Sequence, residues 1–142
     1  MYNTSHEASG CWAFDTINPN CWGGAVGYTA GTKADFVAAQ ETKVPEQEVD
    51  DKVQAARNAG WKVAIEPCNI TTLNGRSAGV AVGCRNNIGA RNSVAAKLPS
   101  ELKGRLALKH FGAVCKGGIH FGSCYMVSKI GILAEKIRGS CI

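Results

Sequence analysis

A glutamate at the polar end of an apolar run is the first residue of this sequence with the position and the chemistry to bind a metal. The stretch Asp35–Ala39 is short and apolar, as in a buried strand, and Gln40-Glu-Thr-Lys43 follows it directly. A carboxylate at such a strand end can project into a cleft and hold Mg2+, which takes one or two carboxylates together with water and substrate phosphate. Glu41 is therefore a candidate metal ligand, and the alternative is a plain surface glutamate.

Two further polar residues follow predicted strands. Asn18 comes directly after the first predicted strand, Trp12–Ile17, and its side-chain amide can hydrogen-bond a phosphate oxygen or the water shell of a metal. The alternative is a turn asparagine before Pro19. Tyr125 stands at the end of a later predicted strand, where its hydroxyl can donate to a phosphate oxygen, and the alternative is a half-buried core tyrosine.

The histidines and cysteines do not form a known metal motif. His110 and His120 lie in strand patterns with apolar neighbours, without a further ligand at metal-binding spacing, so we interpret them as structural. The seven cysteines are odd in number and include no C-x-x-C pair, which indicates buried or half-buried free thiols in a reducing compartment. We therefore expect an intracellular protein, nuclear or cytoplasmic, and we interpret the glycosylation sequons at Asn3 and Asn69 as chance matches.

The secondary-structure elements that must position these residues are strands and helices in alternation at first, followed by a stretch that is mostly strands. A helix is predicted from Trp22 to about Thr32, and a second begins after Pro45 with an acidic first turn and ends at Gly60. The predicted strands are residues 12–17, 35–39, 61–66, 77–84, 105–110 and 118–125. Residues 61–66 and 77–84 are predicted to pair as a hairpin, 85–104 to form a long basic connection, and a last helix to begin near Lys129 or Ile130. No apolar run reaches the roughly 18 residues of a membrane span, so we expect no membrane partner.

The charge is unevenly distributed along the chain. Residues 1–66 contain nine acids and five bases, whereas residues 67–142 contain two acids and eleven bases. A basic half suits a phosphate-bearing partner such as nucleic acid. The alternative is an ordinary solvated basic face.

The order of these features resembles the first half of the endonuclease/exonuclease/phosphatase superfamily. That superfamily includes DNase I-like nucleases, apurinic/apyrimidinic endonucleases and the endonuclease domains of non-LTR retrotransposons. Its members have an asparagine after the first strand, a Q-E-x-K motif ending the second, a G-x-S-x-G-V-A-like strand after a hairpin turn, and a tyrosine ending a later strand. The corresponding features here are Asn18, Gln40–Lys43, Gly75–Ala81 and Tyr125, and the resemblance covers about residues 11–138.

By this resemblance the fold class is α/β (α+β), specifically the N-terminal part of a DNase I-like four-layer α/β sandwich with a mixed β-sheet. Residues 1–10 are expected to be a disordered tail, and residues 11–142 the N-terminal half of the domain. Such a half would supply about one sheet with its helices and would leave an apolar sheet face uncovered.

The resemblance also implies roles for individual residues. Glu41 would ligate Mg2+ or Mn2+, Asn18 would lie beside the metal and the scissile phosphate, Tyr125 would contact the phosphate, and Lys43 would lie near the substrate. Because the residues after Asn18 depart from the usual N-x-N/D-G-L pattern, Asn20 is an alternative match for the family asparagine.

The second half of the family site is missing from this sequence. The family supplies a water-activating aspartate from a G-D-x-N motif and a histidine from a terminal Asp-His pair, and neither motif occurs here, since no aspartate follows Asp51. We therefore expect a fragment of a Mg2+-dependent phosphodiester hydrolase, most similar to a nucleic-acid endonuclease, with little activity of its own. The alternatives are a non-catalytic nucleic-acid-binding or interaction module, or an inactive remnant, on the same scaffold. The expected partners are nucleic acid, DNA more than RNA, and the missing C-terminal half of the domain.

Overall fold

A computed structural model describes residues 5–93, 105–112 and 116–126 of the chain. The helices are α1 (Ser5–Ala8), α2 (Trp22–Gly31) and α3 (Val49–Asn58), the last preceded by a 3-10 turn at Glu46–Glu48. The strands are β1 (Phe14–Ile17), β2 (Phe36–Gln40), β3 (Trp61–Glu66), β4 (Asn69–Ile70), β5 (Arg76–Ser77), β6 (Val80–Arg85), β7 (Ala90–Asn92), β8 (Leu106–Phe111) and β9 (Ile119–Cys124). Among these helices none is long and apolar enough to cross a membrane.

The first sheet is mixed and has four strands in the order β1-β2-β6-β3. β1 runs parallel to β2, and β6 runs antiparallel to both β2 and β3. The two central strands are apolar on both faces and almost entirely buried, as expected of strands that are covered from both sides. β3 has the predicted bounds and pairs with β6 as predicted.

The second sheet is antiparallel, with the order β7-β8-β9, and it packs against the first. Alternate residues of β8 are buried, and they include Ala107, which packs against Val80 and Val82 of β6, and Phe111, which joins Phe36 of β2. The expectation of about one sheet with an uncovered face is therefore wrong for β2 and β6, because β8 and β9 of the same chain cover that face. The predicted connection 85–104 also contains a strand, β7, within its described part.

α2 and α3 lie on the other face of the first sheet. α3 packs Ala56 into an apolar cluster with Val37 and Trp61. α2 forms despite its four glycines, and its first turn is capped by Cys21, whose sulfur accepts a hydrogen bond from the Gly24 amide at 3.4 Å. The described residues thus form a helix layer and two sheet layers, which confirms the mixed α/β fold class. The helix predicted near Lys129 or Ile130 lies outside the described residues.

The structure differs from three smaller predictions. The β3–β6 hairpin is interrupted by a second, short hairpin of β4 and β5. Part of the predicted disordered tail is ordered, because Ser5–Ala8 form a helical turn and the Cys11 amide donates to the His6 carbonyl at 2.7 Å. Of the five cysteines that the structure describes, all are free thiols, but only Cys68 and Cys84 are buried, whereas Cys11, Cys21 and Cys124 are exposed.

Candidate functional site

The residues predicted to carry chemistry lie at one end of the two sheets. β1, β2 and β9 end there, and they are followed by Asn18, Glu41 and Tyr125 respectively. β8 begins at the same end, directly after Arg105, because it is antiparallel to β9. The topology therefore brings together polar strand ends that are up to 107 residues apart in the sequence, the separation of Asn18 and Tyr125.

The segment that presents Glu41 has an unusual backbone. Glu41 and Lys43 both have positive φ angles, 54° and 55°, a region that costs a non-glycine residue energy unless neighbours hold it. The neighbours here are Ala78 and Gly79, whose carbonyls accept hydrogen bonds from the amides of Lys43 and Thr42 at 3.2 and 3.0 Å. The two most specific motifs of the sequence, Gln40–Lys43 and Gly75–Ala81, are thus in direct backbone contact.

Gly79 is required at this contact for two reasons. Its φ of +86° lies in the left-handed region, and a Cβ placed on it would lie 3.0 Å from both the Lys43 amide nitrogen and Thr42 Oγ1. The same Cβ would lie 3.2 Å from the Cβ of Cys68. The glycine therefore allows the strand before β6 to approach the loop that carries Glu41.

Glu41 and Tyr125 form the central contact of the site. Both side chains are half-buried. A hydrogen bond between the Glu41 carboxylate and the Tyr125 hydroxyl is the main cause of a raised pKa for Tyr125, and burial adds to the rise. The Tyr125 hydroxyl therefore lies close to the Glu41 carboxylate and holds its proton more tightly than an isolated tyrosine does.

Arg105 lies beneath this pair and was not singled out from the sequence. Its side chain is only 9% exposed, and its guanidinium carbon lies 5.6 Å from the centre of the Tyr125 ring, within the range of a cation–π contact. The Tyr125 amide also donates to the Arg105 carbonyl at 2.9 Å. One guanidinium nitrogen, Nη1, is buried and has no hydrogen-bond partner among the residues that the structure describes. The charge of Arg105 opposes the rise in the pKa of Tyr125.

A polar network that runs from an exposed to a buried position links the two sheets next to the site. Gln40 Nε2 donates to Ser123 Oγ at 3.1 Å and to Thr16 Oγ1 at 3.2 Å. Ser123 is fully buried, and its hydroxyl donates to the Ala39 carbonyl at 2.8 Å. The network joins β1, β2 and β9, which are the strands that end at the site.

The other predicted site residues form a separate contact. Lys43 Nζ donates to Asn20 Oδ1 at 3.4 Å, so these two side chains lie together. Asn20 itself has a positive φ of 65°. Asn18 is exposed, and within the described part of the chain no hydrogen bond connects it to Glu41 or Tyr125. The structure therefore brings together Glu41 with Tyr125 and Lys43 with Asn20.

The donors at Glu41 suit a magnesium ion that keeps much of its water. Glu41 belongs to no group of three or more close His, Cys, Asp or Glu ligands within residues 5–93, 105–112 and 116–126. Its surroundings offer oxygen donors, a carboxylate and a tyrosine hydroxyl. Mg2+ prefers oxygen and is commonly held by one or two carboxylates with several waters and substrate phosphate, so this donor set fits it.

The basic half presents fewer exposed charges than its composition indicates. Lys109 is 2% exposed, and its Nζ donates to the Asn92 side chain at 2.7 Å. Burial lowers the pKa of Lys109. Arg105 is buried, and Arg85 is half-buried with its guanidinium bound to two backbone carbonyls. The exposed bases of the described part of this half are Arg76, Arg91 and Lys116.

A separate cavity of about 380 Å3 lies between the helices and the outer face of the first sheet. Its walls are almost entirely apolar, with Trp22 and Ala25 from α2, Ala56 from α3 and Trp61 from β3. It does not border Glu41 or Tyr125, which lie at the end of the sheets. Its lining contains no carboxylate, histidine, lysine or cysteine, so it is not a candidate for the chemistry of this site.

Comparison with solved structures supports the mixed α/β architecture. No protein-family model and no curated protein matches the sequence. The fold is similar to the crystal structure of the AP endonuclease LMAP from Leishmania major, with a TM-score of 0.57 and 19% sequence identity. The match covers 89% of this chain and 43% of that chain, so the chain spans less than half the length of this structural neighbour. At this identity the similarity concerns the fold alone: the chain has a mixed α/β fold similar to that of part of this AP endonuclease.

Proposed function

We propose that this chain is part of a nuclease-type phosphodiester hydrolase and holds a divalent cation, Mg2+ or Mn2+, and a nucleic-acid phosphate at Glu41 and Tyr125. The contact between these two side chains carries the proposal, because it places a carboxylate and a protonated hydroxyl donor side by side. A fold shared with a protein described as an AP endonuclease supports nucleic acid as the substrate class. DNA is proposed over RNA on the same ground.

Each residue of the candidate site has a role in this proposal. Glu41 supplies the carboxylate for the cation, and Tyr125 donates from its hydroxyl to a phosphate oxygen. Arg105 keeps the tyrosine ring in place from below. Lys43 and Asn20, which hydrogen-bond each other, contact the substrate backbone beside the cation. Asn18 lies at the exposed edge of the same site.

The chain's own residues supply binding and orientation rather than proton transfer. A bound divalent cation would act as a Lewis acid that stabilises charge on the phosphate. The groups that would activate water and protonate the leaving oxygen in the family have no counterpart among the residues after Asp51. Because general acid–base catalysis contributes about 10²–10⁴-fold, we propose that efficient hydrolysis requires those groups from a further segment or chain that carries the Asp-x-Asn and Asp-His motifs.

The second candidate is a nucleic-acid-binding module that does not use the cation. The eleven bases of residues 67–142 favour it. Binding of this kind depends steeply on salt, because counterions are released from the phosphates, and it is independent of Mg2+. The inward orientation of Arg105 and Lys109 weighs against a continuous basic face in the described residues.

The test is a binding measurement with a fluorescently labelled DNA duplex, in the presence and absence of Mg2+ at constant ionic strength. For the unaltered chain we expect Mg2+ to tighten binding by about fivefold or more, the lower range of coupling between two sites. Glu41→Gln removes the charged ligand with little change in size and is expected to abolish this Mg2+ effect. Glu46→Gln, an exposed glutamate in the 3-10 turn, is the matched control and keeps it.

The outcomes separate the two candidates. If the DNA affinity of the unaltered chain is the same with and without Mg2+ but falls steeply with salt, the binding module is the better account and the proposed cation site is wrong. Cleavage of the duplex is followed in the same samples. Mg2+-dependent cleavage by the unaltered chain well above Glu41→Ala would contradict the proposal that other groups are needed for hydrolysis.

A further inference from the structure

A second group of potential metal ligands lies at the far end of β2 from Glu41. Asp35 directly precedes β2 and Glu41 directly follows it, and this length of extended chain spans about 20 Å. His6 and Glu7, on α1, approach Asp35 so that one ligand atom from each of the three lies within 4.8 Å of the other two. The group is thus distinct from the site proposed for the phosphodiester.

The spacing of His6 and Asp35 is that of two ligands on one ion. His6 Nε2 lies 3.5 Å from Asp35 Oδ2, and the nitrogen is buried without a hydrogen-bond partner in the described part of the chain. Two atoms that bind a tetrahedral Zn2+ at roughly 2.0–2.1 Å are about 3.4 Å apart. A hydrogen bond from nitrogen to oxygen spans about 2.7–3.2 Å. The buried imidazole nitrogen therefore faces the carboxylate at a separation that a shared ion would bridge.

Asp35 is held in place before any ion binds. Its Oδ2 accepts a hydrogen bond from the Ala13 amide at 2.8 Å, and its own amide donates to the Ala13 carbonyl at 2.9 Å. The Arg85 amide donates to the Asp35 carbonyl at 3.1 Å. Hydrogen bonds of this kind around a ligating carboxylate fix its orientation and strengthen metal binding.

The helical turn that carries the other two ligands is also fixed by backbone hydrogen bonds. The Cys11 amide donates to the His6 carbonyl at 2.7 Å, and the Gly10 amide donates to the Glu7 carbonyl at 3.0 Å. His6 is half-buried, whereas Glu7 is exposed. The exposed carboxylate is free to move the remaining distance toward an ion that His6 and Asp35 already hold.

We propose that His6, Glu7 and Asp35 bind a transition-metal ion of the Zn2+ type, with a water as the fourth ligand. An imidazole and two carboxylates suit Zn2+, whereas Mg2+ and Ca2+ prefer sites made of oxygen alone. Three protein ligands and one exchangeable water form a common arrangement for bound zinc. The ion ties α1 to the start of β2, so it stabilises the N-terminal end of the fold and takes no part in the proposed contact with nucleic acid.

The test uses the full chain, stripped of metals with a chelator and kept reduced. Zn2+ binding is measured by competition with a chromophoric chelator, and Co2+ is used as a spectroscopic substitute. We expect one equivalent of Zn2+ to bind and the midpoint of thermal unfolding to rise when it does. Since loss of a partner that only orients a ligand costs about 10–100-fold in metal affinity, loss of a ligand is expected to cost at least tenfold. His6→Ala and Glu7→Gln should both show this loss.

Two control variants address the other candidate ligands. Cys11→Ser removes the exposed thiol nearest to the site in sequence and should keep full affinity, and the Co2+ complex should lack a thiolate charge-transfer band. His120→Ala removes an exposed histidine of β9 and should also bind as the unaltered chain does. His6 and Glu7 lie on a terminal turn, so circular dichroism is expected to show unchanged folding for both ligand variants.

The proposal is overturned if Zn2+ does not bind at one equivalent, or if His6→Ala and Glu7→Gln bind it as tightly as the unaltered chain. In the latter case His6 and Asp35 are only an ion pair. Because Glu41→Gln leaves all three ligands in place, it should retain Zn2+ binding. Failure of the phosphodiester proposal is therefore distinguishable from failure of this one.

Discussion

Gln40 and Ser123, which are 83 residues apart in the chain, hydrogen-bond at 3.1 Å and join the strands that end at Glu41 and Tyr125. The Ser123 hydroxyl itself donates a hydrogen bond to the Ala39 carbonyl at 2.8 Å, so this one buried oxygen is bonded to both neighbours. Gln40 directly precedes Glu41, and Ser123 lies two residues before Tyr125. The hydrogen bond therefore sets the separation of Glu41 and Tyr125 through the register of the two sheets.

Ser123→Ala is expected to lower the free energy of unfolding by about 1–3 kcal/mol, because it leaves the Ala39 carbonyl and the Gln40 amide without their buried partner. The measurement is urea unfolding followed by circular dichroism. Cys124→Ser, at the exposed neighbouring position, is the control and should change the stability by less than about 0.5 kcal/mol. A Ser123→Ala chain as stable as the control would contradict a structural role for the network.

Gly79→Ala is expected to destabilise the chain by about 1–3 kcal/mol, since a left-handed φ is strained for alanine and its Cβ would meet the Lys43 amide. Lys43 cannot yield without losing the hydrogen bond from its amide to Ala78. The matched control is Gly27→Ala in α2, where φ is not positive and no atom lies within 4 Å of the added Cβ. That helix substitution is expected to stabilise the chain by about 0.5–1 kcal/mol.

The two glycine variants must therefore move the urea midpoint in opposite directions. A further expectation concerns the site itself, because Gly79 supports the segment that presents Glu41. If Gly79→Ala keeps both its stability and the raised pKa of Tyr125, the contact between the two sequence motifs does not hold Glu41 in place.

The elements of the fold were predictable where a local pattern determines them. β3 has alternating apolar and polar residues and is bounded by Gly60 and Pro67, so it was predicted with its observed bounds. α2 and β2 were predicted within a residue of their observed ends. β7, in contrast, has two exposed polar residues among three and forms by pairing with β8, which no local pattern shows.

The site was predictable only in part, for a related reason. The resemblance pointed to Glu41 and Tyr125, but their contact depends on the packing of two sheets, which a single sequence does not specify. Arginine and serine are mostly exposed in proteins, so residue type alone predicts surface positions for Arg105 and Ser123. In the structure both are buried. Polar residues of this kind show their role only when the neighbours that satisfy them are known.

Tyr125 is expected to titrate above its ordinary pKa of 10.0, because its hydroxyl is bonded to Glu41. Glu41→Gln removes the negative charge, so the pKa of Tyr125 should fall toward the ordinary value, whereas Glu46→Gln should leave it unchanged. Tyrosinate absorbance against pH measures this. The titration is done in a background with both Tyr2→Phe and Tyr28→Phe, so that Tyr125 is the one tyrosine left of the three in the sequence. Tyr28 must be removed in particular, since a hydrogen bond to Asp15 also raises its pKa.

The same pKa shifts predict how stability depends on alkaline pH. Tyr28 and Tyr125 both hold their protons more tightly in the folded chain than in the unfolded chain. Their contribution to stability is therefore complete below about pH 10 and is lost as the pH rises through the folded-state values. Urea unfolding at a series of pH values should show stability falling above pH 10, and a smaller fall for Glu41→Gln. An equal fall in both chains would contradict the Glu41–Tyr125 hydrogen bond.

Thr42→Val is expected to raise the stability of the chain rather than lower it. Thr42 is 1% exposed, and its Oγ1 is buried without a hydrogen-bond partner in the described residues. A buried hydroxyl without a partner costs about 1–3 kcal/mol, and valine has the same shape without that oxygen, so we expect a gain of about 1 kcal/mol. The contrasting variant is Thr32→Val, whose hydroxyl donates to Asp15 at 2.7 Å and accepts from the Ala34 amide at 3.1 Å. Thr32→Val should lose stability by a similar amount in the same urea series. A loss of stability in Thr42→Val would show that its hydroxyl has a partner in solution, at a position directly beside Glu41.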